Sequence, residues 1–236
     1  MSVKNLVYKT IIICLIGVMC VSAYHILGSC LEYNKARTEY NKIREVAFED
    51  GNIDWDALHK INSDIVAWIS LEGSNINYPV VKGDDNNFYL HRNVKREQDS
   101  SGTPFIDCRI ENEFEEFDTI IYGHNMKDGS MFNNLNKYLE KDGFYETHRQ
   151  LELITPENKY HLVVFAGFYT KAGSDIYSSE YIRKHINEVK ENNEIANVED
   201  IEVTASDKIV TLSTCAYVYK DARCVIVGKL EPWKEE

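Results

Sequence analysis

From residue 66 onward the chain is a succession of short β-prone runs separated by turn residues, and this pattern constrains the fold more than any other feature. The runs are Val66–Leu71, Tyr78–Val81, Thr103–Asp107, Thr119–Tyr122, Leu151–Thr155, Tyr160–Tyr169, Ile201–Thr204, Ile209–Leu212 and Val225–Leu230. Many short strands with few helices predict a barrel or a sandwich. Two stretches with helical spacing interrupt them. Gly129–Leu139 carries Met131, Leu135, Tyr138 and Leu139 on one face, and Ser178–Asn192 carries Tyr181, Ile182, Ile186 and Val189. A shorter helix is predicted over Trp55–Ile61. No internal repeat or low-complexity segment is visible.

The N-terminus is of a different kind. From Thr10 to Leu31 run 22 residues without a formal charge, apart from a His25 that can be protonated. That is long enough to cross the hydrocarbon core as a helix. Lys4 and Lys9 precede it, which predicts a cytoplasmic N-terminus and an external remainder. Two rival readings exist: Val21-Ser22-Ala23 as a signal-peptidase site, and Leu27-Gly28-Ser29-Cys30 as a lipoprotein box. The uncleaved anchor is preferred because the apolar run overshoots a usual signal-peptide core. All three readings export the rest of the chain. Residues 32–50 are polar with Leu31, Tyr40, Ile43, Val46 and Ala47 at helical spacing and predict a juxtamembrane helix. The roughly 205 residues after the apolar run suffice for one buried core and fit two domains poorly.

The formal net charge is −12, and −14 once Lys4 and Lys9 are set apart. No Lys/Arg cluster stands out, so nucleic acid is set aside as a partner. Such an acidic surface does not hold anionic wall polymers by charge alone. Targeting then falls to the N-terminus and substrate choice to a pocket. The six cysteines show neither CxxC pairs nor zinc-type spacing, so neither a structural metal nor a disulfide framework is expected. No cofactor is called for.

The chemistry concentrates near the C-terminus. Cys215 ends the run Ile209–Leu212 and its Ser-Thr extension, and Arg223 stands at the mouth of the run beginning at Val225. If the two runs are neighbouring strands, a thiol and a fixed cation meet at one sheet edge, as cysteine acyl transfer requires. A base is still needed, and His124 supplies one at the end of Thr119-Ile120-Ile121-Tyr122-Gly123-His124-Asn125. Taken alone, each has a bland reading: a buried small residue, a structural imidazole, a surface charge. Cys108 and Cys224 keep that reading, and strand alternation sends Cys224 to the face opposite Arg223.

These residues together resemble the sortase family, class B most closely, a family of membrane-anchored cysteine transpeptidases of Gram-positive bacteria. Thr211-Leu212-Ser213-Thr214-Cys215 matches its TLxTC signature, Tyr122-Gly123-His124-Asn125 its histidine strand end, and DARCVIVGKL its arginine strand. INSDIVAWISLEGSNINYPVV (61–81), DNNFYLHRN (85–93) and SGTPFIDCRI (101–110) are similar in the expected order. The resemblance implies a mostly β fold: a closed eight-stranded barrel with N-terminal helices and a helical insertion before the last strands. It implies an anchor over 1–31, a linker over 32–54 and a catalytic domain over 55–236. It implies that Cys215 is the nucleophile, His124 the general acid/base and Arg223 the stabiliser of oxyanion and substrate. Asn86, Leu90, Thr170, Ile176, Tyr177 and Ser213 are the implied contacts to an NPxTx-like sorting motif, though the loop TKAGSDIY (170–177) matches the family in length more than in identity. The implied partners are surface proteins bearing that motif, an amine of the peptidoglycan precursor, and the cell membrane. A glycine bridge and diaminopimelate stay open as the amine.

Two other classes fit the residues less well. Papain-like or NlpC-type wall peptidases place cysteine before histidine, whereas His124 precedes Cys215 by 91 residues. Caspase-like proteins share the order, but their QACxG signature is missing. A membrane-tethered binding module without activity would not need Cys215, His124 and Arg223 together.

Overall fold

The computed structural model describes residues 3–233 except 50, 175–177, 200 and 205. Helix α1 runs unbroken from Val3 to Ala47, so the apolar segment and the polar stretch after it form one helix. No proline lies between these bounds to end it. An 18-residue window within it reaches a mean hydropathy of 2.3 with none of that window buried. By length and composition it is compatible with a membrane anchor. The chain divides into two compact units, Met1–Asn41 and Lys42–Glu236.

The second unit begins with the end of α1 and a two-stranded ribbon, β1 (Phe48–Glu49) and β2 (Asn52–Ile53). Helix α2 (Trp55–Ile61) comes next, its first turn capped by Asp54, which accepts from Ala57 N at 2.9 Å. Eight strands then close into a barrel: β3 (Ile65–Ser70), β4 (Asn77–Lys82), β5 (Phe105–Ile106), β6 (Asp118–Tyr122), β7 (Gln150–Ile154), β8 (Lys159–Lys171), β9 (Ile209–Cys215) and β10 (Ala222–Pro232). Their order around the barrel is β10-β8-β7-β3-β4-β5-β6-β9, with β9 pairing β10 to complete the circle. Pairs β4–β5 and β6–β9 are parallel and the others antiparallel. Closure leaves no free edge in the barrel sheet.

Strand alternation sorts the side chains into two apolar layers. Val80, Ile121, Leu153, Val164, Leu212, Cys224 and Ile226 belong to the larger, interior cluster. Phe168, Ile209, Val225 and Val227 belong to a second cluster on the outer face. That outer patch is covered by α5 (Ser179–Lys184) and α6 (Ile186–Glu191) through Ile182 and Val189, after the short helices α3 (Lys137–Glu140) and α4 (Phe144–Thr147) have closed another part of the barrel. Trp68, Phe132, Phe165 and Phe168 are wholly buried, each removing apolar surface worth about 1.5–3 kcal/mol.

Three expectations from periodicity are corrected. Ile201–Thr204 forms no strand: β6, β9 and β10 have no vacant edge, and Ile201 and Val203 instead cover the outer cluster. Residues 129–132 are not helical, because Asp128 and Ser130 form a side-chain-locked turn and Met131 takes φ +53°. A 3-10 turn over Asn133–Asn136 then leads into α3. The 178–192 stretch is two helices and not one. His185, at φ −129° and ψ 37°, breaks it and stacks its ring on Tyr181 with centroids 4.3 Å apart.

Candidate active site

Register brings the sequence candidates together. Arg223 on β10 lies directly opposite Cys215 on β9, and Thr170 on β8 lies directly opposite Arg223. Opposed residues of antiparallel strands share a face. The row Thr170–Arg223–Cys215 therefore crosses three strands at one end of the barrel, on the face that carries Val225. Cys224, one step along, turns into the interior and is fully buried. Its thiol donates weakly to the Leu135 carbonyl at 3.6 Å, and burial pushes its pKa up.

The histidine arrives on the other neighbour of β9. Strand β6 runs parallel to it with Tyr122 beside Ser213. Gly123 N donates to Ser213 O at 3.1 Å, and Thr214 Oγ1 donates to Gly123 O at 2.8 Å. These bonds stop the strand where His124 stands next to the Cys215 end. Gly123 is required here, since a Cβ would lie 2.6 Å from the Phe132 ring. His124 Nε2–H donates to the Leu90 carbonyl at 2.8 Å. A carbonyl only accepts, so Nδ1 is left as the basic atom of the neutral ring. Gly102, at φ +59°, packs below. A Cβ there would sit 2.7 Å from Tyr89 O, 2.9 Å from Leu90 O and 3.2 Å from His124 Cδ2.

Cys215, His124 and Arg223 line one cleft of about 300 Å³ with Asn86, Leu90 and Ser213. Asn86 Oδ1 accepts from Cys108 N at 2.8 Å, which fixes a side-chain amide that lines the cleft. Ser213 Oγ is buried without a partner among the described residues. Arg223 uses one N–H on the Ala222 carbonyl, at 3.1 Å, and makes no ion pair among the described residues. Ala172 and Gly173 supply the wall on the β8 side, while Thr170 itself is buried at 8 % exposure. Ile176 and Tyr177 lie outside the described residues.

Behind the cleft, Tyr122 OH donates to Asp107 at 2.9 Å, and Arg109 clamps the same carboxylate at 2.9 and 2.7 Å. Burial works against the charge on Asp107, but these donors outweigh it and hold the group at about 2. The anion pins Tyr122, whose ring lines the cleft.

Sequence reasoning passed over Asn125. Its Nδ2 donates to Cys215 O at 2.8 Å, and its Oδ1 accepts from Asn133 Nδ2 at 2.7 Å. The only signal was its place directly after the histidine. Gly102 was passed over too, because its partners are close only in the folded chain.

The sortase domain model matches residues 69–231. The chain belongs to the sortase family. Sortase B of Listeria monocytogenes is 34 % identical over 98 % of this chain and 99 % of its own. Sortase B of Staphylococcus aureus is 33 % identical over 92 % and 94 %. Among solved structures, a S. aureus sortase B–substrate complex superposes with a TM-score of 0.75 at 32 % identity, covering 86 % of this chain and all of that one. Bacillus anthracis sortase B gives 0.74 at 33 %, covering 86 % and 99 %. These relatives place the chain in class B, and the closed mixed barrel with its N-terminal helix matches their fold. It is a sortase-type transpeptidase, of a family that acts on sorting-signal proteins and amine nucleophiles.

Proposed function

We propose that this sortase cleaves an NPxTx-like sorting motif after its threonine, through a thioester on Cys215, and transfers the acyl group to a peptidoglycan amine. The observation that carries this reading is the shared cleft in which Arg223 pairs in register with Cys215 while His124 ends the adjacent parallel strand. His124 Nδ1 takes the Cys215 thiol proton, and the resulting thiolate attacks the threonine carbonyl; the carbon–sulfur bond forms as the carbonyl π pair moves onto oxygen. Arg223 donates to that oxygen from a planar, permanently charged fork. His124 Nδ1–H gives its proton to the departing amine as the carbon–nitrogen bond breaks. The incoming amine then returns a proton to Nδ1 as it displaces sulfur.

Asn86 Nδ2, Ser213 Oγ and the Leu90 side chain hold the acyl half of the motif, with Thr170 on the side of the β8 wall and Ile176 and Tyr177 as further contacts. One solved relative is a S. aureus sortase B–substrate complex and another is a sortase B complexed with triglycine, which supports an acyl donor and an amine as the two substrates here. The apolar part of α1 serves as a single-pass anchor, with its N-terminus cytoplasmic and the catalytic domain outside, as Lys4 and Lys9 direct. The organisation is thus an anchor over 1–31, a linker over 32–54 and a catalytic domain over 55–236.

The test uses the full chain in detergent with NPxTx and LPxTx peptides and several amines. Mass spectrometry follows the thioester and the peptide–amine product, with Cys215→Ala and Arg223→Ala alongside. Products that vanish in both variants support the reading. Cleavage without amine transfer points to a hydrolytic peptidase, and no adduct with any peptide sinks the acyl-enzyme mechanism.

A further inference from the structure

A second cleft, of about 510 Å³, shares no lining residue with the first but is lined by residues that follow closely on both His124 and Cys215. Asn125, next after His124, lines it, and so does Tyr217, two residues past Cys215. The two are joined directly, Tyr217 OH donating to Asn125 O at 3.4 Å. Asn133 donates to Asn125, and Asn125 to the Cys215 carbonyl, so the wall of this cleft is hydrogen-bonded to the main chain of the thiol residue. Asn136, also lining it, is 5 % exposed and keeps a buried Oδ1 with no partner among the described residues.

Transpeptidation needs such a neighbour. The amine that leaves and the amine that enters exchange protons with the same histidine, so by microscopic reversibility both occupy one position beside His124. The acyl half fills the cleft of Leu90, Asn86 and Ser213. The amine half must then extend the other way, where the chain runs on from His124 and Cys215. Asn125 and Tyr217 mark that direction.

The charge in this second cleft is out of character for the protein. In a chain of net charge −12, Lys127 and Lys137 both line it, and neither meets a carboxylate among the described residues. Lys137 lies 5.7 Å over the Phe144 ring. The one carboxylate in the lining, Glu140, accepts instead from Tyr169 OH at 3.2 Å. A peptide amine with no negative charge gives these two cations nothing to bind. One that carries a carboxylate along its chain gives each of them a partner.

We propose that this cleft is the acceptor subsite, and that Lys127 and Lys137 select amines bearing a carboxylate. The assignment rests on the transpeptidase reading above. It adds a substrate class: a primary amine free at one end and anionic further along, as in an amino acid or a peptide with an open C-terminus.

The experiment is a competition within one tube. Full-length protein in detergent receives an acyl-donor peptide together with glycylglycylglycine and its C-terminal amide, and the ratio of the two products is read by mass spectrometry. The wild type should favour the free carboxylate by roughly three- to tenfold at low salt, the size expected of one or two partly exposed ion pairs. About 0.5 M salt should shrink that preference. The Lys127→Gln/Lys137→Gln protein should bring the ratio near unity, and Lys127→Glu/Lys137→Glu should invert it. Because the ratio is internal to each protein, a loss of folded fraction cancels. Equal products from the wild type, or a preference that survives both double substitutions, overturns the assignment while leaving the transpeptidase intact. A protein that forms no thioester overturns the transpeptidase reading, and this one with it.

Discussion

Asn125 holds the main chain of Cys215: its side-chain N–H donates to the Cys215 carbonyl at 2.8 Å, while its oxygen is held by Asn133. The residue after the proposed base thus sets where the proposed nucleophile begins its turn into the loop toward β10. Asn125→Ala removes the donor and leaves a cysteine carbonyl that water can reach. The expected result is a roughly tenfold fall in the rate of thioester formation, with the KM for the peptide little changed, since about an ångström of misplacement is enough to cost this much. Asn125→Gln should not restore it. A rate within twofold of wild type would show that the strand pairing alone fixes the thiol.

Arg223→Lys tests whether the fork is needed or only the charge. Arg223 stands opposite Cys215 in register, and lysine would place a single ammonium at the end of a flexible stem. The expected loss is about 10²- to 10³-fold in kcat/KM, comparable to removing one oxyanion donor. Stopped assays with the peptide panel give the number, and a loss under threefold would assign Arg223 to steering alone.

Gly102→Ala should damage the site from a distance in sequence. The added Cβ would fall 2.7 Å from Tyr89 O and 2.9 Å from Leu90 O, at a φ of +59°. Leu90 O is the acceptor that orients His124. The backbone strain alone costs on the order of 1–3 kcal/mol. Thermal unfolding should show that loss, and turnover should fall further than the lost folded fraction explains. Wild-type stability and turnover would mean the 89–102 segment gives way freely.

Asp118 gives a prediction in pH. Burial raises its carboxyl to about 7, with Thr211 Oγ1 donating to Oδ1 at 2.9 Å as the main offset and Oδ2 without a partner among the described residues. The folded state then holds a proton that the unfolded chain has already released above its ordinary value near 4. Stability contributed by this group is therefore lost as pH rises from about 4 to about 7, and is flat above that. Asp118→Asn keeps the acceptor and removes the titration. Its unfolding midpoint should exceed that of the wild type at pH 8 by more than at pH 4. Parallel profiles for the two proteins would show that Asp118 is not protonated in the fold.

The barrel was legible because its strands obey a local rule. Eight of the nine β-prone runs became strands, and alternation correctly sent Cys224 inward beside an outward Arg223. The ninth, Ile201–Thr204, has the right residues but no unpaired edge to join, and edge vacancy is a property of the closed sheet. The helix breaks at Met131 and His185 were hidden for a related reason. Each depends on a particular turn or ring stack, to which apolar spacing is blind. Cys215, His124 and Arg223 could be proposed together from motif and strand position, and they line one cleft. Asn125, Gly102 and the pairing of Asn86 with Cys108 N could not, since each acts through a contact made across the fold.

Strands β9 and β10 are the last of the barrel in chain order, and they both complete the circle and carry the thiol and its cation. A chain made N-terminus first has β6 and its histidine, already able to pair with β5, in hand long before β9 exists for its other side. Until β9 has paired with both β6 and β10, Cys215 has neither Arg223 across from it nor His124 beside it. The thiol acquires its neighbours only when the far-separated β6 and β9 pair, a slow kind of contact to form. The proposed catalytic set is thus absent from every partly folded form and comes into being only as the barrel closes.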